Sequence, residues 1–301
     1  MTNILSNILI LFAVFSCNNN SQKNINTENA PTGKVEEKQY IKSISGKLDE
    51  ISGLMIYDDL FWGFNDSGGK AEIYAFNKEG KIKRTVELED AKNKDWEAIA
   101  QDEKHIYIGD FGNNWGSRKN LTIYKVDKKD LKHSKEQKVK SKKIKISYSD
   151  QESFTFLDRS TPHDCESLIE FNGSLYIFSK NWNNYTTTMY KVPTKKGEYK
   201  LTPADKYNIM GLITGADISP DKTKLALVGY NAFNSFFWIF SDFKDDKFLK
   251  GKAKFYPLKK AQRAQTEGIC FKNNSDVLIS CENSKGFHQQ VFLMKPEQEK
   301  E

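Results

Sequence analysis

The sequence predicts an all-β protein, a five-bladed β-propeller of four-stranded antiparallel blades. Three observations predict it: a segment that recurs five times at intervals of about 50 residues, a hairpin pattern behind each recurrence, and an N-terminal stretch able to complete the last unit. The recurring segments are Ser52–Met55 (SGLM), Glu97–Ala100 (EAIA), Glu166–Ile169 (ESLI), Thr214–Asp217 (TGAD) and Glu267–Cys270 (EGIC), spaced by 45, 69, 48 and 53 residues. Each opens on an oxygen-bearing side chain. A small residue follows (Gly53, Ala98, Ser167, Gly215, Gly268), then an aliphatic one (Leu54, Ile99, Leu168, Ala216, Ile269).

The strands follow in a fixed order. A short turn (Asp58-Asp59, Asp102-Glu103, Asn172-Gly173, Pro220-Asp221, Asn273-Asn274) leads to an apolar second strand: Leu60–Phe64, Ile106–Ile108, Leu175–Phe178, Leu225–Val228 and Val277–Ile279. A third strand is marked by Ile73-Tyr74, Ile123-Tyr124, Met189-Tyr190, Trp238-Ile239 and Val291-Phe292. A more polar fourth strand is expected at Ile82–Leu88, Lys143–Tyr148, Tyr207–Met210 and Ala253–Tyr256. The fifth unit lacks one, because Lys295–Glu301 is mostly charged; residues 39–45 (QYIKSIS) stand before Ser52 as Ile82–Leu88 stands before Glu97. This N-terminal strand is expected to close the last blade and hide the open sheet edges. The long second interval holds a lysine-rich stretch, Lys128–Lys143, read as solvated outer-strand and loop material. It lacks the interleaved aromatics of a nucleic-acid surface, so no nucleic-acid partner is expected.

Composition agrees with a folded, exported domain. The chain has 301 residues with 29% charged and 13% aromatic, and a formal net charge of +6, which is too apolar for a disordered polymer. Seven Pro and 18 Gly exclude collagen-like design. Residues 4–16 are apolar but shorter than the roughly 20 residues a membrane span needs, and read as the core of a signal peptide (residues 1–16). Val14–Cys17 resembles a bacterial lipobox, making Cys17 the expected lipidation site and membrane anchor; residues 17–38 form a polar spacer and 39–301 the propeller. The expected location is the bacterial cell envelope, facing the periplasm or exterior. Cys165, Cys270 and Cys281 remain, and the spacing leaves open a Cys270–Cys281 bridge across a hairpin.

The first strand of a propeller blade lines the central channel, so Ser52, Glu97, Glu166, Thr214 and Glu267 are expected to meet around one axis. At a separation of about 5 Å and an effective dielectric of about 20, each carboxylate pair repels by about 3 kcal/mol. No Lys, Arg or His occupies the ring position in any repeat. Hard oxygen ligands without sulfur or imidazole suit Ca²⁺, the expected cofactor, with Asp95, Asp164 and Glu50 as outer acceptors. Loops at the end of the second strands carry Asp66, Asp110 and Lys180 to the same face, where they are candidate catalytic or ligand-contacting groups for an anionic or carbonyl substrate. His163-Asp164-Cys165 is set aside as a thiol nucleophile site, because consecutive strand residues face opposite ways.

These motifs resemble the soluble calcium-dependent nucleotidases (apyrases), whose five-bladed propellers hold a central Ca²⁺ through Ser or Glu residues at the blade openings. The matching pieces are Ser52–Tyr57 with Asn65-Asp66, Trp96–Ala100 with Tyr107–Gly109, Cys165–Ser167, Thr214-Gly215 and Thr266–Ile269, across most of residues 40–294. That family carries a denser acidic and arginine cluster where this chain has Asn65–Gly68 and Ser179–Asn181. The chain also resembles uncharacterised exported bacterial propeller lipoproteins. Two functions are therefore expected: a calcium-centred binding or scaffold module for a small-molecule or protein ligand at the polar-loop face, or a calcium-dependent hydrolase of phosphoanhydride or ester bonds. A six-bladed lactonase-like propeller would need one more repeat.

Overall fold

The structure, a computed structural model, describes residues 31–297 apart from Leu157, Phe233 and Lys285; the signal peptide, Cys17 and most of the spacer lie outside the described residues. Strand β1 (Val35–Ile41) comes first. Blade 1 is β2 (Ile51–Tyr57), β3 (Leu60–Asn65), β4 (Glu72–Phe76) and β5 (Ile82–Leu88). Blade 2 is β6 (Trp96–Gln101), β7 (His105–Asp110), β8 (Leu121–Asp127) and, after an intervening β9 (Glu136–Val139), β10 (Lys142–Tyr148). Blade 3 is β11 (Asp164–Phe171), β12 (Ser174–Lys180), β13 (Thr186–Pro193) and, after β14 (Gly197–Leu201), β15 (Pro203–Asn208). Blade 4 is β16 (Leu212–Ile218), β17 (Lys224–Asn231), β18 (Asn234–Ser241) and β19 (Lys252–Pro257). Blade 5 is β20 (Thr266–Phe271), β21 (Val277–Cys281) and β22 (Gln290–Pro296), with β1 as its outer strand.

The protein is a five-bladed propeller: β2, β6, β11, β16 and β20 contact one another in a closed ring. Each blade must bury both faces, and five apolar clusters do so, one at each blade junction. The junction of blades 1 and 2 packs Trp62, Phe64 and Val86 against Trp96, Ile108 and Val126. That of blades 5 and 1 packs Leu278 and Val291 against Ile51, Leu54 and Phe61. Two-sided burial is why the inner strands read as nearly continuous apolar runs, and each large side chain removed from water contributes about 1.5–3 kcal/mol.

Three details differ from the expectation. The closing strand spans Val35–Ile41 instead of residues 39–45, antiparallel to β22, with a bulge between Gln39 and Ile41. Its charged start hid it: Glu37 is buried because its carboxylate accepts the amides of Lys259 and Lys260, both at 2.8 Å. The lysine-rich excursion contributes β9, which pairs in parallel with β5, and β14 pairs in parallel with β10, so blades 1 and 2 each borrow a fifth strand from the next blade. Thr32 makes the equivalent parallel bridge to Phe255 on blade 4. Finally, Cys165, Cys270 and Cys281 are buried free thiols. In the hairpin register Cys270 faces Leu278 and Cys281 faces Thr266, so no Cys270–Cys281 bridge forms.

Candidate functional site

In four of the five blades the repeated first residue is where the inner strand is bulged. The β6–β7 register passes from Trp96 to Ala98, skipping Glu97; β11–β12 skips Glu166, β16–β17 skips Thr214, and β20–β21 skips Glu267. In blade 1 the bulge falls one step later, between Ser52 and Met55. A bulge leaves one residue outside the ladder and re-aims its side chain, here toward the channel. Glu97, Glu166 and Glu267 border a void of about 10 Å³ on the axis, together with Gly53, Gly215 and Gly268. The small residues are needed there: a Cβ on Gly268 would lie 2.8 Å from the Gly53 carbonyl carbon.

Above this neck the channel opens into a cavity of about 620 Å³. Ser52, Glu97, Glu166 and Glu267 line it, joined by Asp66 and Lys180 from the second-strand ends. Thr214 does not reach it. Its hydroxyl donates to the Thr266 carbonyl of the next blade at 2.6 Å, and the Ser52 hydroxyl donates to the Glu97 carbonyl at 3.3 Å. Both hydroxyls therefore pin neighbouring blades.

The glutamates are 3 to 8% exposed. Burial, then the neighbouring Glu166 and Asp66, pushes Glu97 well above the usual carboxylate range. Burial lifts Glu267 to about 7, with Lys180 opposing it. Lys180 was expected to face a substrate. It does line the cavity but is buried, with Nζ 2.6 Å from Glu166 Oε1 and within 4.9 and 5.3 Å of the Trp182 and Tyr230 ring centroids. Burial works against its charge, but Glu166 and its neighbours outweigh that and hold the ammonium well above its ordinary value. It supplies, from the second strand, part of the neutralisation that no ring position offers. The other oxygen, Glu166 Oε2, is buried without a hydrogen-bond partner among the described residues.

A second acidic group sits beside the ring, between blades 1 and 2. Oxygens of Asp66, Asp95 and Glu97 lie within 4.8 Å of one another. Burial, then Asp66, lifts Asp95 to about 7 against the pull of Arg118, and burial also raises Asp66. The Asp66 loop is held by Asn93, whose Nδ2 donates to the Asn65 and Asp66 carbonyls at 2.9 and 2.6 Å, while Asp66 Oδ1 is buried without a partner among the described residues. Gly112 closes the cradle from the other side: a Cβ there would stand 2.3 Å from Glu97 Oε1 and 2.6 Å from Asp95 Cγ. Arg118 braces the loop, donating to the Gly112 carbonyl at 2.6 Å and pairing with Asp110 Oδ1 at 2.7 Å.

Asp110 is thereby removed from the cavity. It is 2% exposed, paired with Arg118, and accepts the Asp95 amide. Asp164 is likewise saturated, accepting the Asn113 and Cys165 amides and the Trp182 indole N–H at 2.7, 3.1 and 2.8 Å. Cys165 is buried and its thiol is pushed up to about 12 by that burial, as expected for an inert cysteine.

Five further residues line the wall, Arg159, Trp182, Tyr230, Arg263 and Glu282, of which the repeat pattern brings Tyr230 and Glu282 to this face and gives no signal for the other three. Tyr230 and Glu282 sit in the polar second-strand loops, at positions equivalent to Asp66. Arg159 and Arg263 come from the connections between blades, where no repeat signal marks them. Burial, then Glu267, lifts Glu282 to about 8.

No family model and no curated protein matches the chain. Solved structures do. They include Kuenenia stuttgartiensis hydrazine synthase, at 11% identity and a TM-score of 0.40, covering 82% of this chain and 63% of that one. A Bacteroides uniformis protein designated a 6-phosphogluconolactonase matches at 10% identity and 0.40, covering 78% and 68%. A Bacteroides fragilis protein designated as exported matches at 8% identity and 0.44, covering 88% and 96%.

Proposed function

We propose that the chain is a binding module whose ligand docks at the acidic mouth of the propeller over one calcium ion. Asp66, Asp95 and Glu97 would hold the ion, with Glu166 and Glu267 completing the anionic wall. Glu97 belongs both to the repeat-encoded ring and to this cluster. The observation that carries the reading is the convergence of three carboxylates within 4.8 Å beside a cavity that Asp66 and Glu97 line, where Glu166 Oε2 is buried and unpartnered among the described residues. Such a group needs protons or a cation, and an all-oxygen donor set without sulfur or imidazole suits Ca²⁺. When bound, the ion would supply positive charge and open coordination positions for oxygen atoms of a ligand. The chain's own part is to pre-position the carboxylates: bulges aim them, Gly112 leaves room for them, and Arg118 and Asn93 fix their loops.

The apolar run before Cys17 supports presentation of this module at the cell envelope from a lipid anchor. Hydrolysis is the less supported alternative. Of the three groups expected to act on a substrate, Asp110 is paired with Arg118 outside the cavity and Lys180, in the cavity wall, is paired with Glu166, so Asp66 is the cavity group left without an ion-pair partner among the described residues.

Thermal unfolding with EGTA or with added Ca²⁺ tests the reading. At about 100 times the dissociation constant the ion adds about 2.7 kcal/mol, a rise of about 5–10 °C for a domain of this size. Glu97→Gln should remove the rise. An unchanged midpoint in the native chain overturns the calcium site.

A further inference from the structure

The charge of the cavity wall points to a class of ligand. Among the described residues, five wall carboxylates (Asp66, Glu97, Glu166, Glu267, Glu282) and Asp95, which would share the ion, stand against three cations (Lys180, Arg159, Arg263), and Lys180 is already paired with Glu166. One divalent ion reduces that negative excess from three to one. A phosphorylated or otherwise polyanionic ligand would restore the excess of negative charge. A neutral one would not.

Most of the remaining wall is polar without charge. Asn114, Gln265 and Ser284 offer groups that both donate and accept, the complement of hydroxyl groups, and the Ser284 hydroxyl is buried without a partner among the described residues. Two aromatic rings complete it. Trp182 is fixed by its indole N–H on Asp164, and Tyr230 stands across Lys180 from it. Flat apolar faces among hydroxyl-matching groups and a hard cation suit a ring that carries C–H on its faces and hydroxyls on its edge.

The rim continues the same chemistry outward. Trp115 and Phe156 stack with centroids 4.3 Å apart and planes 14° from parallel, yet remain 44% and 63% exposed. They flank the cavity: Asn114 precedes Trp115, Arg159 follows Phe156 by three residues, and the Arg159 amide donates to the Asn114 carbonyl at 3.0 Å. A ligand longer than one ring would leave the mouth across this pair.

Resting on the calcium reading above, we propose that the mouth binds a neutral oligosaccharide, one residue over the ion against Trp182 and Tyr230 and the next across Trp115 and Phe156. The test uses the folded chain on a printed array of neutral and uronic-acid oligosaccharides, with ADP and spermidine as competitors, in Ca²⁺ and in EGTA. Neutral glycans are expected to be retained in Ca²⁺ and released by EGTA. Trp115→Ala, at a position 44% exposed, should weaken retention about fivefold, and Trp182→Ala more than about tenfold. Trp115→Ala should leave the calcium-dependent rise in the unfolding midpoint unchanged. Preference for uronates or ADP over every neutral glycan overturns the proposal. So does displacement by spermidine, or a midpoint that responds to calcium in a chain retaining no neutral glycan. A midpoint that ignores calcium leaves the negative excess uncompensated, and the calcium reading falls with the proposal.

Discussion

Lys180→Met is the sharpest test of how the channel carboxylates are neutralised. Lys180 and Glu166 are 5% and 3% exposed and 2.6 Å apart, so the substitution keeps the bulk of the side chain and strands a buried carboxylate whose second oxygen already lacks a partner among the described residues. Removing one member of such a pair costs about 3–5 kcal/mol. At about 2–4 °C per kcal/mol, the calcium-free midpoint should fall by about 6–20 °C. The double variant Lys180→Met with Glu166→Gln should recover most of that loss, because the glutamine leaves no charge to compensate. Calcium should stabilise the single variant more than the native chain, since the ion then becomes the main counter-charge. Calorimetry or fluorescence-monitored melting of the four proteins of the cycle reads this. A single variant within about 1 kcal/mol of native in EGTA would refute the claim that the pair neutralises the ring.

Other outcomes follow from neighbouring features. Thr214→Val leaves the Thr266 carbonyl without its 2.6 Å donor and should cost about 1–3 kcal/mol while the calcium response survives; loss of that response would make Thr214 a ligand, as the repeat pattern suggests. Gly112→Ala should weaken calcium about tenfold in titration calorimetry, because its Cβ must displace Glu97 and Asp95; unchanged affinity would separate the cluster from the ion. Asp217 lies on the other side of the ring, where burial lifts its carboxyl to about 7 while its Oδ2 accepts the Phe271 amide. The folded state then holds a proton that the unfolded chain has released above about 4, so stability should fall as pH rises from about 4 to 7 and level off above. In saturating calcium, which keeps the site carboxylates ionised, Asp217→Asn should flatten that slope. A native slope of opposite sign would contradict it.

Much of the fold was legible because a propeller repeats its physics. Each blade needs an inner strand with a small residue at the axis and apolar second and third strands, so Ser52–Leu54, Glu97–Ile99 and their equivalents stand out. The outer strands were harder. Glu136–Val139 and Gly197–Leu201 lie at the rim, where only their last residues, Val139 and Leu201, are buried, and their parallel pairing to a neighbouring blade leaves no local turn signal. The start of β1 was missed because Glu37 is buried by hydrogen bonds and not by hydrophobicity. At the site, the repeat placed the three glutamates on the axis. It could not show that they are aimed by bulges, since a bulge changes register without changing residue pattern. Nor could it show that Lys180 turns inward to Glu166, or that Asp95, two residues before Glu97, shares a cluster with Asp66 across a blade junction. Those depend on loop conformation, to which spacing is blind.

The most direct measurement of the central claim is the calcium content of the purified chain after dialysis, by elemental analysis, beside that of an Asp66→Asn, Glu97→Gln double variant. The account predicts about one ion per native chain and none retained by the variant. Equal calcium in both proteins, or none in the native one at saturating supply, would contradict it.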